Sequence, residues 1–260
     1  MSLNNNPIGI FDSGLGGLTV FKQVIRELPQ ENVIYFGDTA RVPYGTKSKE
    51  AIIRFSIENV EELLKRKVKV IVIACNSSTS YALDVLQKEF DVPIIGVIEP
   101  GVRKAVEATR SGRIGIIATL ATVNSGKYQE HIKARSRSSK IFSQACPLFV
   151  PLVEEGWLNT AVTRSVAAEY LKPLKAKKID TLILGCTHYP LLKPVLRQVM
   201  GKDVELIDSA REVALEAKRV LQEGGLLRTS MGKAKYDFII SDRPQAFKKL
   251  AQKFLGFEID

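Results

Sequence analysis

Short apolar runs rich in β-branched residues alternate with amphipathic stretches along the whole chain of 260 residues. Continuous apolar runs of this kind predict strands that are buried on both faces. The amphipathic stretches between them predict the helices that cover a parallel sheet. We predict strands over residues 8–11, 33–37, 68–75, 93–98, 113–119, 140–146, 181–186, 204–208 and 236–241. We predict helices over residues 19–28, 49–67, 81–90, 163–178, 191–200 and 210–223. The fold class is therefore α/β, with mostly parallel sheets flanked by helices.

The order of segments repeats between the two halves of the chain. The matching pairs of segments are 7–17 with 113–123, 68–83 with 179–192, and 91–99 with 203–210. Any two α/β halves look broadly alike, but here a cysteine, Cys75 or Cys186, stands at the same place in each half. We therefore predict two pseudo-symmetric lobes, formed by residues 1–98 with 209–260 and by residues 99–208.

Composition limits the class of protein. Hydrophobic residues make up 45% and charged residues 25% of the chain, which is ordinary globular usage and argues against disorder. The apolar runs are far shorter than the roughly 20 residues that span a bilayer. The first six residues are polar, so we expect no signal peptide. Three scattered cysteines fit a reducing compartment better than a disulfide framework. We expect a cytoplasmic protein with no membrane association.

The formal net charge of +10 has three explanations. A basic surface binds nucleic acid, attracts an acidic small substrate, or is simply solvated. Only residues 131–140 are locally basic, and that segment carries no interleaved aromatic residues and no nucleic-acid-binding motif. The sequence therefore disfavours nucleic acid as a partner.

Cys75 and Cys186 each follow a predicted strand and precede a predicted helix start. A helix N-terminus supplies free N–H groups and a positive dipole end, which lower a thiol pKa and favour the thiolate. Racemisation requires one base on each face of an α-carbon, and two related lobes supply such a pair. The competing uses are a buried apolar role, a catalytic disulfide or a metal site. The chain has no C-x-x-C motif and only two histidines, so a zinc site is disfavoured. We assign the third cysteine, Cys146, to packing.

The glycine-rich turn at residues 12–17 (DSGLGG) does not fit a phosphate-binding loop. Thr19 stands where a G-x-G-x-x-G motif requires glycine, and Leu15 stands where a Walker motif requires lysine. Asp12 would also repel phosphate. This aspartate instead binds an ammonium group, orients a thiol or caps the following helix, and the sequence does not decide between these roles.

Polar residues after other predicted strands are candidates for holding a substrate. Tyr44 and Gly45 lie in a loop whose N–H groups and hydroxyl can hold a carboxylate, although Pro-Tyr-Gly also fits a simple turn. Four further candidates follow the two cysteines directly: Asn76, Ser77, Thr187 and His188. They can bind carboxylates and an amine, or cap helices. His188 can also assist proton transfer at Cys186.

Five motifs are spread across nearly the whole chain, in the order GIFDSGLGGLTV, YFGDTARVPYG, ACNSST, CPLFVPLVEEG and LGCTHYPLL. Together, and in this order, they resemble the glutamate racemases of the cofactor-independent aspartate/glutamate racemase family. Ser77 departs from the pattern, because many members carry threonine there, but the hydroxyl is kept. The resemblance implies two α/β lobes with the substrate cleft between them. It also implies that no pyridoxal phosphate, metal or nucleotide cofactor is used.

The resemblance assigns roles to individual residues. It makes Cys75 the base that deprotonates D-glutamate and Cys186 the base for L-glutamate. Asp12 and His188 resemble the groups that assist these two thiols, and Glu154 is a further assisting candidate. The substrate contacts of the family match Asp12, Ser13, Tyr44, Gly45, Asn76, Ser77, Thr187 and His188.

The resemblance also implies a biological setting and partners. An enzyme of this kind supplies D-glutamate for bacterial peptidoglycan and hence supports cell shape. Homodimers are common in the family, and a cell-wall precursor activates some relatives; the sequence does not decide either point for this chain. Two alternative functions stay open. One is aspartate racemase, which needs a pocket shorter by one methylene, and the other is a basic binding protein with a role connected to nucleic acid.

Overall fold

A computed structural model describes residues 3–242, 251–252 and 255 of the chain. The remainder of the predicted first-lobe segment 209–260, and residues 1–2, lie outside the described residues. The strands are β1 (Ile8–Asp12), β2 (Val33–Gly37), β3 (Val70–Ile73), β4 (Ile94–Gly96), β5 (Arg113–Ala118), β6 (Lys140–Ala145), β7 (Thr181–Gly185), β8 (Glu205–Ile207) and β9 (Tyr236–Ile240). The helices are α1 (Leu18–Glu27), α2 (Lys49–Leu64), α3 (Asn76–Glu89), α4 (Ile98–Ala108), α5 (Leu120–Ser125), α6 (Lys127–Arg135), α7 (Phe149–Glu154), α8 (Ala161–Ala176), α9 (Lys193–Met200) and α10 (Ala210–Glu223).

The strands form two parallel sheets. The first has the order β4-β3-β1-β2-β9 and the second the order β6-β5-β7-β8, and all the neighbouring strands of both sheets run parallel. When β5 to β8 are matched in turn with β1 to β4, the two orders are the same apart from the added β9. The α/β prediction of parallel sheets flanked by helices is confirmed, and the repeat in the sequence is matched by a repeat in topology.

Alternate residues of the central strands enter different cores. In β3, Val70 and Val72 pack into the largest apolar cluster, whereas Ile71 and Ile73 pack into a second cluster on the opposite face. All four of these side chains are fully buried. This arrangement explains why the strands read as continuous apolar runs, because a sheet covered on both faces has no polar side.

The segment after the second sheet returns toward the first. β9 pairs in parallel with β2 and so extends the first sheet at its edge. Before it, α10 packs along α1 and also contacts α4, the helix that packs on the second sheet's β7 and β8. The lobe boundaries given above stay a prediction, and α10 lies where the two sets of elements meet.

Four helices were not predicted from the sequence. These are α4, α5, α6 and α7, and in addition α3 begins at Asn76 rather than at residue 81. Only Tyr128 and Ile132 are buried in α6, so its apolar periodicity is too weak to recognise. Prolines within the first turns of α4 and α7 also conceal helices, although proline is tolerated at such positions. In the part of the chain that the structure describes, no helix is both long and apolar enough to span a membrane.

Candidate active site

The two cysteines of the repeat line one pocket. Cys75 follows β3 and is the N-cap of α3, and Cys186 directly follows β7. Both thiols are buried, with 5% and 7% of the residue exposed. The prediction of a helix start after each cysteine holds only for Cys75. After Cys186 the chain forms a short 3-10 turn (Tyr189–Leu192), and α9 begins only at Lys193.

The surroundings of Cys75 raise its pKa rather than lower it. Burial and the charge of Asp12 raise the pKa of this thiol to about 11. The polar groups of Ser78 and Ser13 act in the opposite direction, and the Cys75 thiol donates a hydrogen bond to the Ser13 Oγ at 3.8 Å. The expectation of a lowered pKa at this helix terminus is therefore wrong for Cys75, because desolvation outweighs the helix N–H groups.

The side chain of Asp12 is fully buried beneath the glycine-rich turn and holds it by hydrogen bonds. Its Oδ2 accepts hydrogen bonds from the N–H groups of Gly14 and Gly17, at 3.1 and 3.0 Å. Its Oδ1 accepts a long hydrogen bond from the Thr187 hydroxyl, at 3.5 Å. Burial raises the pKa of Asp12, although the charge of His188 and the backbone donors oppose the rise. Asp12 thus caps the turn before α1 and also influences Cys75 through its charge.

Cys186 has an imidazole partner. The Cys186 Sγ lies 3.8 Å from the His188 Nδ1, and the His188 Nε2 lies 3.2 Å from the Glu154 Oε1. Burial acts to lower the pKa of His188, but its hydrogen bonds to Cys186 and Glu154 raise the pKa to about 10. An imidazolium held beside Cys186 stabilises negative charge on that sulfur.

The glycine-rich turn also supports the loop that carries Cys186. A Cβ placed on Gly16 would lie 2.3 Å from the Thr187 Oγ1 and 2.6 Å from the His188 Nδ1. The Thr19 hydroxyl donates a 3.3 Å hydrogen bond to the Thr187 carbonyl. The turn therefore packs against the second thiol's loop, and only glycine fits at the point of contact.

Most of the sequence-predicted site residues line this pocket. They are Ser13, Tyr44, Gly45, Cys75, Asn76, Ser77, Cys186, Thr187 and His188. Asp12 and Glu154 do not line it but contact residues that do, Asp12 through Thr187 and Glu154 through His188. Within the described ranges, no group of three or more His, Cys, Asp or Glu side chains is arranged to hold a metal ion.

Several candidate substrate contacts are already engaged within the protein. The Tyr44 hydroxyl donates to the buried Asp38 and accepts from the Asn59 side-chain amide at 3.1 Å. The Asn76 Oδ1 accepts a 2.7 Å hydrogen bond from the Tyr128 hydroxyl. The hydroxyl proton of Tyr44 is therefore directed at Asp38.

Sequence reasoning missed four residues that line the pocket. Thr119, the N-cap of α5, lies there with its Oγ1 3.0 Å from the Ser77 Oγ. Thr119 occupies the position of Ser13 in the repeat, so a comparison of hydroxyls as well as cysteines would have found it. Val42, Pro43 and Val150 also line the pocket. These three carry no polar side chain; they lie within the motifs YFGDTARVPYG and CPLFVPLVEEG, but no chemistry of their own distinguishes them there.

The chain resembles known proteins over nearly its whole length. A family model described as Asp/Glu/Hydantoin racemase matches residues 8–217. A glutamate racemase of Geobacter metallireducens is 49% identical over 249 residues, which are 96% of this chain and 92% of the relative. A crystal structure of Francisella tularensis glutamate racemase with D-glutamate superposes with a TM-score of 0.93 at 39% identity, covering 99% of this chain and 96% of that one.

A more distant structure shares the same architecture. Escherichia coli glutamate racemase, solved with L-glutamate and the activator UDP-MurNAc-ala, gives a TM-score of 0.79 at 28% identity. The match covers 96% of this chain and 95% of that one. The fold, the paired thiols and these similarities agree, and the chain belongs to the Asp/Glu/Hydantoin racemase family.

Proposed function

We propose that this chain is an isomerase that interconverts L-glutamate and D-glutamate by a two-base proton transfer between Cys75 and Cys186. The observation that carries the proposal is the pair of buried cysteines, which come from equivalent strand ends of two related sheets and line one pocket. The relatives named glutamate racemase, at 49% identity and 39% identity, support glutamate as the substrate.

The reaction moves one proton at a time at the α-carbon. With L-glutamate bound, the Cys186 thiolate removes the α-proton, and the Cys75 thiol donates its proton to the opposite face of the carbanion. With D-glutamate bound, Cys75 is the thiolate and the roles reverse. Because this scheme uses no iminium electron sink, fixed hydrogen-bond donors must stabilise the developing negative charge. The buried pocket also keeps water away from the exchanging protons.

Each thiol receives different assistance. Asp12 and Ser13 act at Cys75, where the Ser13 Oγ accepts the hydrogen bond of the thiol and Asp12 accepts or orients a proton. His188 acts at Cys186, and Glu154 holds the imidazole in the orientation that directs Nδ1 at the sulfur.

The substrate's polar groups are held by residues around the two thiols. We infer that its carboxylates contact the N–H groups of Gly45 and of the first turn of α3, where Asn76 and Ser77 lie. We infer that Thr187, on the loop that carries Cys186, also contacts the substrate. Ser13, Tyr44 and His188 line the same pocket. We infer that the substrate lies between the two predicted lobes, formed by residues 1–98 with 209–260 and by residues 99–208.

The proposed activity implies a cellular role and partners. D-glutamate is a building block of bacterial peptidoglycan, so we infer that this chain acts in the cytoplasm in cell-wall formation and cell shape. The activator bound by the Escherichia coli relative supports a test of a peptidoglycan precursor on this chain. We further infer a homodimer, as the family resemblance implies.

Proton exchange at the α-carbon tests the proposal directly. The protein is incubated with L-glutamate in D₂O, without added cofactor, and followed by circular dichroism and by the α-proton NMR signal. We expect loss of the dichroic signal together with deuterium incorporation. Cys75→Ser and Cys186→Ser should each slow racemisation by at least about 100-fold without unfolding the protein. Cys146→Ser is the matched control, because Cys146 is equally buried but lies outside the pocket.

The same assay separates the alternatives. Racemisation of aspartate but not of glutamate would make the chain an aspartate racemase. The chain would instead be a binding protein if neither amino acid exchanges its α-proton, even with a peptidoglycan precursor added, and if the chain binds DNA in a salt-dependent way. Near-wild-type turnover in either cysteine variant would exclude the two-thiol mechanism.

A further inference from the structure

The first turn of α3 contains a buried hydroxyl without a hydrogen-bond partner. Ser78 is fully buried, and among the described side chains its Oγ is one of two buried oxygen or nitrogen atoms that make no hydrogen bond. The other is the Oγ of Ser80, in the same helix. An unpaired buried hydroxyl costs stability and is rare, so it indicates a function or a partner that forms only in another state.

The position of Ser78 directs its polar groups toward the Cys75 thiol. Cys75 is the N-cap of α3, and Ser78 is the third residue of the helix. In a capping box the side chain at this third position reaches back to the N-cap residue, and its N–H faces the N-cap side chain. Here the N-cap residue is a cysteine, and its thiol makes no capping hydrogen bond in the present geometry.

Cys75 needs such a donor when it carries charge. Burial and Asp12 raise the pKa of the Cys75 thiol, and the groups that oppose the rise are the N–H and hydroxyl of Ser78 and the hydroxyl of Ser13. All of these donors are neutral. Cys186, in contrast, has the imidazole of His188 beside it. The counterpart of Ser78 in the repeat is Tyr189, whose hydroxyl donates to the Cys146 carbonyl instead.

We propose that Ser78 is a positioning residue whose hydroxyl donates a hydrogen bond to the Cys75 thiolate. The hydroxyl makes no hydrogen bond in the present geometry, and a charged sulfur is a stronger acceptor for it than a neutral thiol. This inference deepens the proposed function and rests on it, because it concerns the half of the reaction in which Cys75 is the base.

The pH dependence of thiol alkylation tests the inference. Wild type, Ser78→Ala and Ser80→Ala are treated with iodoacetamide across a pH series, and the Cys75 and Cys186 peptides are quantified by mass spectrometry. At pH values below the titration of Cys75, we expect Ser78→Ala to slow Cys75 alkylation by about tenfold, since hydrogen bonds to charged groups are the strong ones. Cys186 is the internal reference, and its rate should not change. Ser80→Ala removes the other unpaired hydroxyl of the helix and should leave both rates as in wild type.

Thermal unfolding and turnover complete the test. Ser78→Ala should melt at the same temperature as wild type or higher, because it removes an unpaired buried hydroxyl, and its rate–pH profile with D-glutamate should shift toward higher pH. A Cys75 alkylation profile identical to wild type would overturn the inference, as would equal slowing at Cys75 and Cys186. If wild type does not racemise glutamate, the proposed function fails, whereas a normal Cys75 profile in an active Ser78→Ala variant removes only the role of Ser78.

Discussion

Replacing Glu154 with glutamine tests how a positive charge is kept beside Cys186. The substitution keeps the shape of the side chain and removes its charge, 3.2 Å from the His188 Nε2. An opposite charge this close shifts a pKa by about 1 to 3. Because 32% of the Glu154 side chain is exposed to solvent, we expect the lower part of this range. The pKa of His188 should fall by about 1 to 2 from its value of about 10.

Glu154→Gln should lower the free energy of unfolding at low pH but not at high pH. The folded-state pKa of His188 is raised from 6.5 to about 10, so protonation of this imidazole stabilises the folded protein. That contribution is complete below pH 6.5 and is lost as the pH rises through about 10. With about 1.4 kcal/mol per pKa unit, Glu154→Gln should cost about 1.5–3 kcal/mol of unfolding free energy below pH 6.5, and almost nothing above pH 10.

The chain is well suited to measuring this pKa. It contains only two histidines, so a protein labelled with ¹³C at the imidazole gives two signals, and His131→Gln identifies which belongs to His188. The signals are followed between pH 5 and 11 in wild type and in Glu154→Gln. Urea unfolding at the two ends of the pH range measures the stability difference.

A neighbouring carboxylate provides the control. Glu155 is exposed and has no hydrogen bond to His188 among the described contacts, so Glu155→Gln should leave the pKa of His188 unchanged. An unchanged pKa in Glu154→Gln would refute the reasoning, and so would an equal fall in both variants. A stability loss that is as large at high pH as at low pH would show that glutamine disturbs packing instead.

Three further substitutions have definite expected outcomes. Gly16→Ala should reduce turnover at least about tenfold, because its Cβ would lie 2.3 Å from the Thr187 Oγ1, and steady-state racemisation measures the loss. Glu31→Gln should destabilise the protein by about 3–5 kcal/mol in urea unfolding, since it leaves the buried ammonium of Lys69 without its 2.5 Å ion pair; the double variant with Lys69→Met should recover part of this. Ser48→Ala removes the cap of α2 and should cost about 1 kcal/mol of unfolding free energy, with racemisation unchanged.

The strands were predictable because burial on both faces leaves its mark in consecutive residues of the sequence. A strand buried on both faces must be apolar at every position, and β3 and β7 satisfy this with few exceptions. Helices with narrow buried faces lack such a signal. In α5, for example, only Ala121 and Thr122 are buried over six residues, and its cap at Thr119 resembles any polar loop.

Within the candidate site, the sequence located the thiols but not their protonation chemistry. The rule that a helix N-terminus lowers a thiol pKa is correct for an exposed cysteine. It fails at Cys75, because complete burial and the charge of Asp12 act more strongly. Neither effect is visible in the residues next to Cys75, since Asp12 lies on a different strand. The contact of Tyr44 with Asp38 is hidden for the same reason, because loop packing decides it.

The repeat explains where the two thiols lie, and the differences between its halves explain why they are not equivalent. The position of Asp12 is occupied by Ala118 in the second half, and the position of Ser77 by His188. Cys75 therefore lies near a buried negative charge and Cys186 near a positive one. In a two-base racemase one sulfur must hold a proton while the other holds a charge. In the proposed mechanism L-glutamate meets a protonated Cys75 and D-glutamate meets an ionised Cys75, so the raised pKa of Cys75 acts against the second of these states.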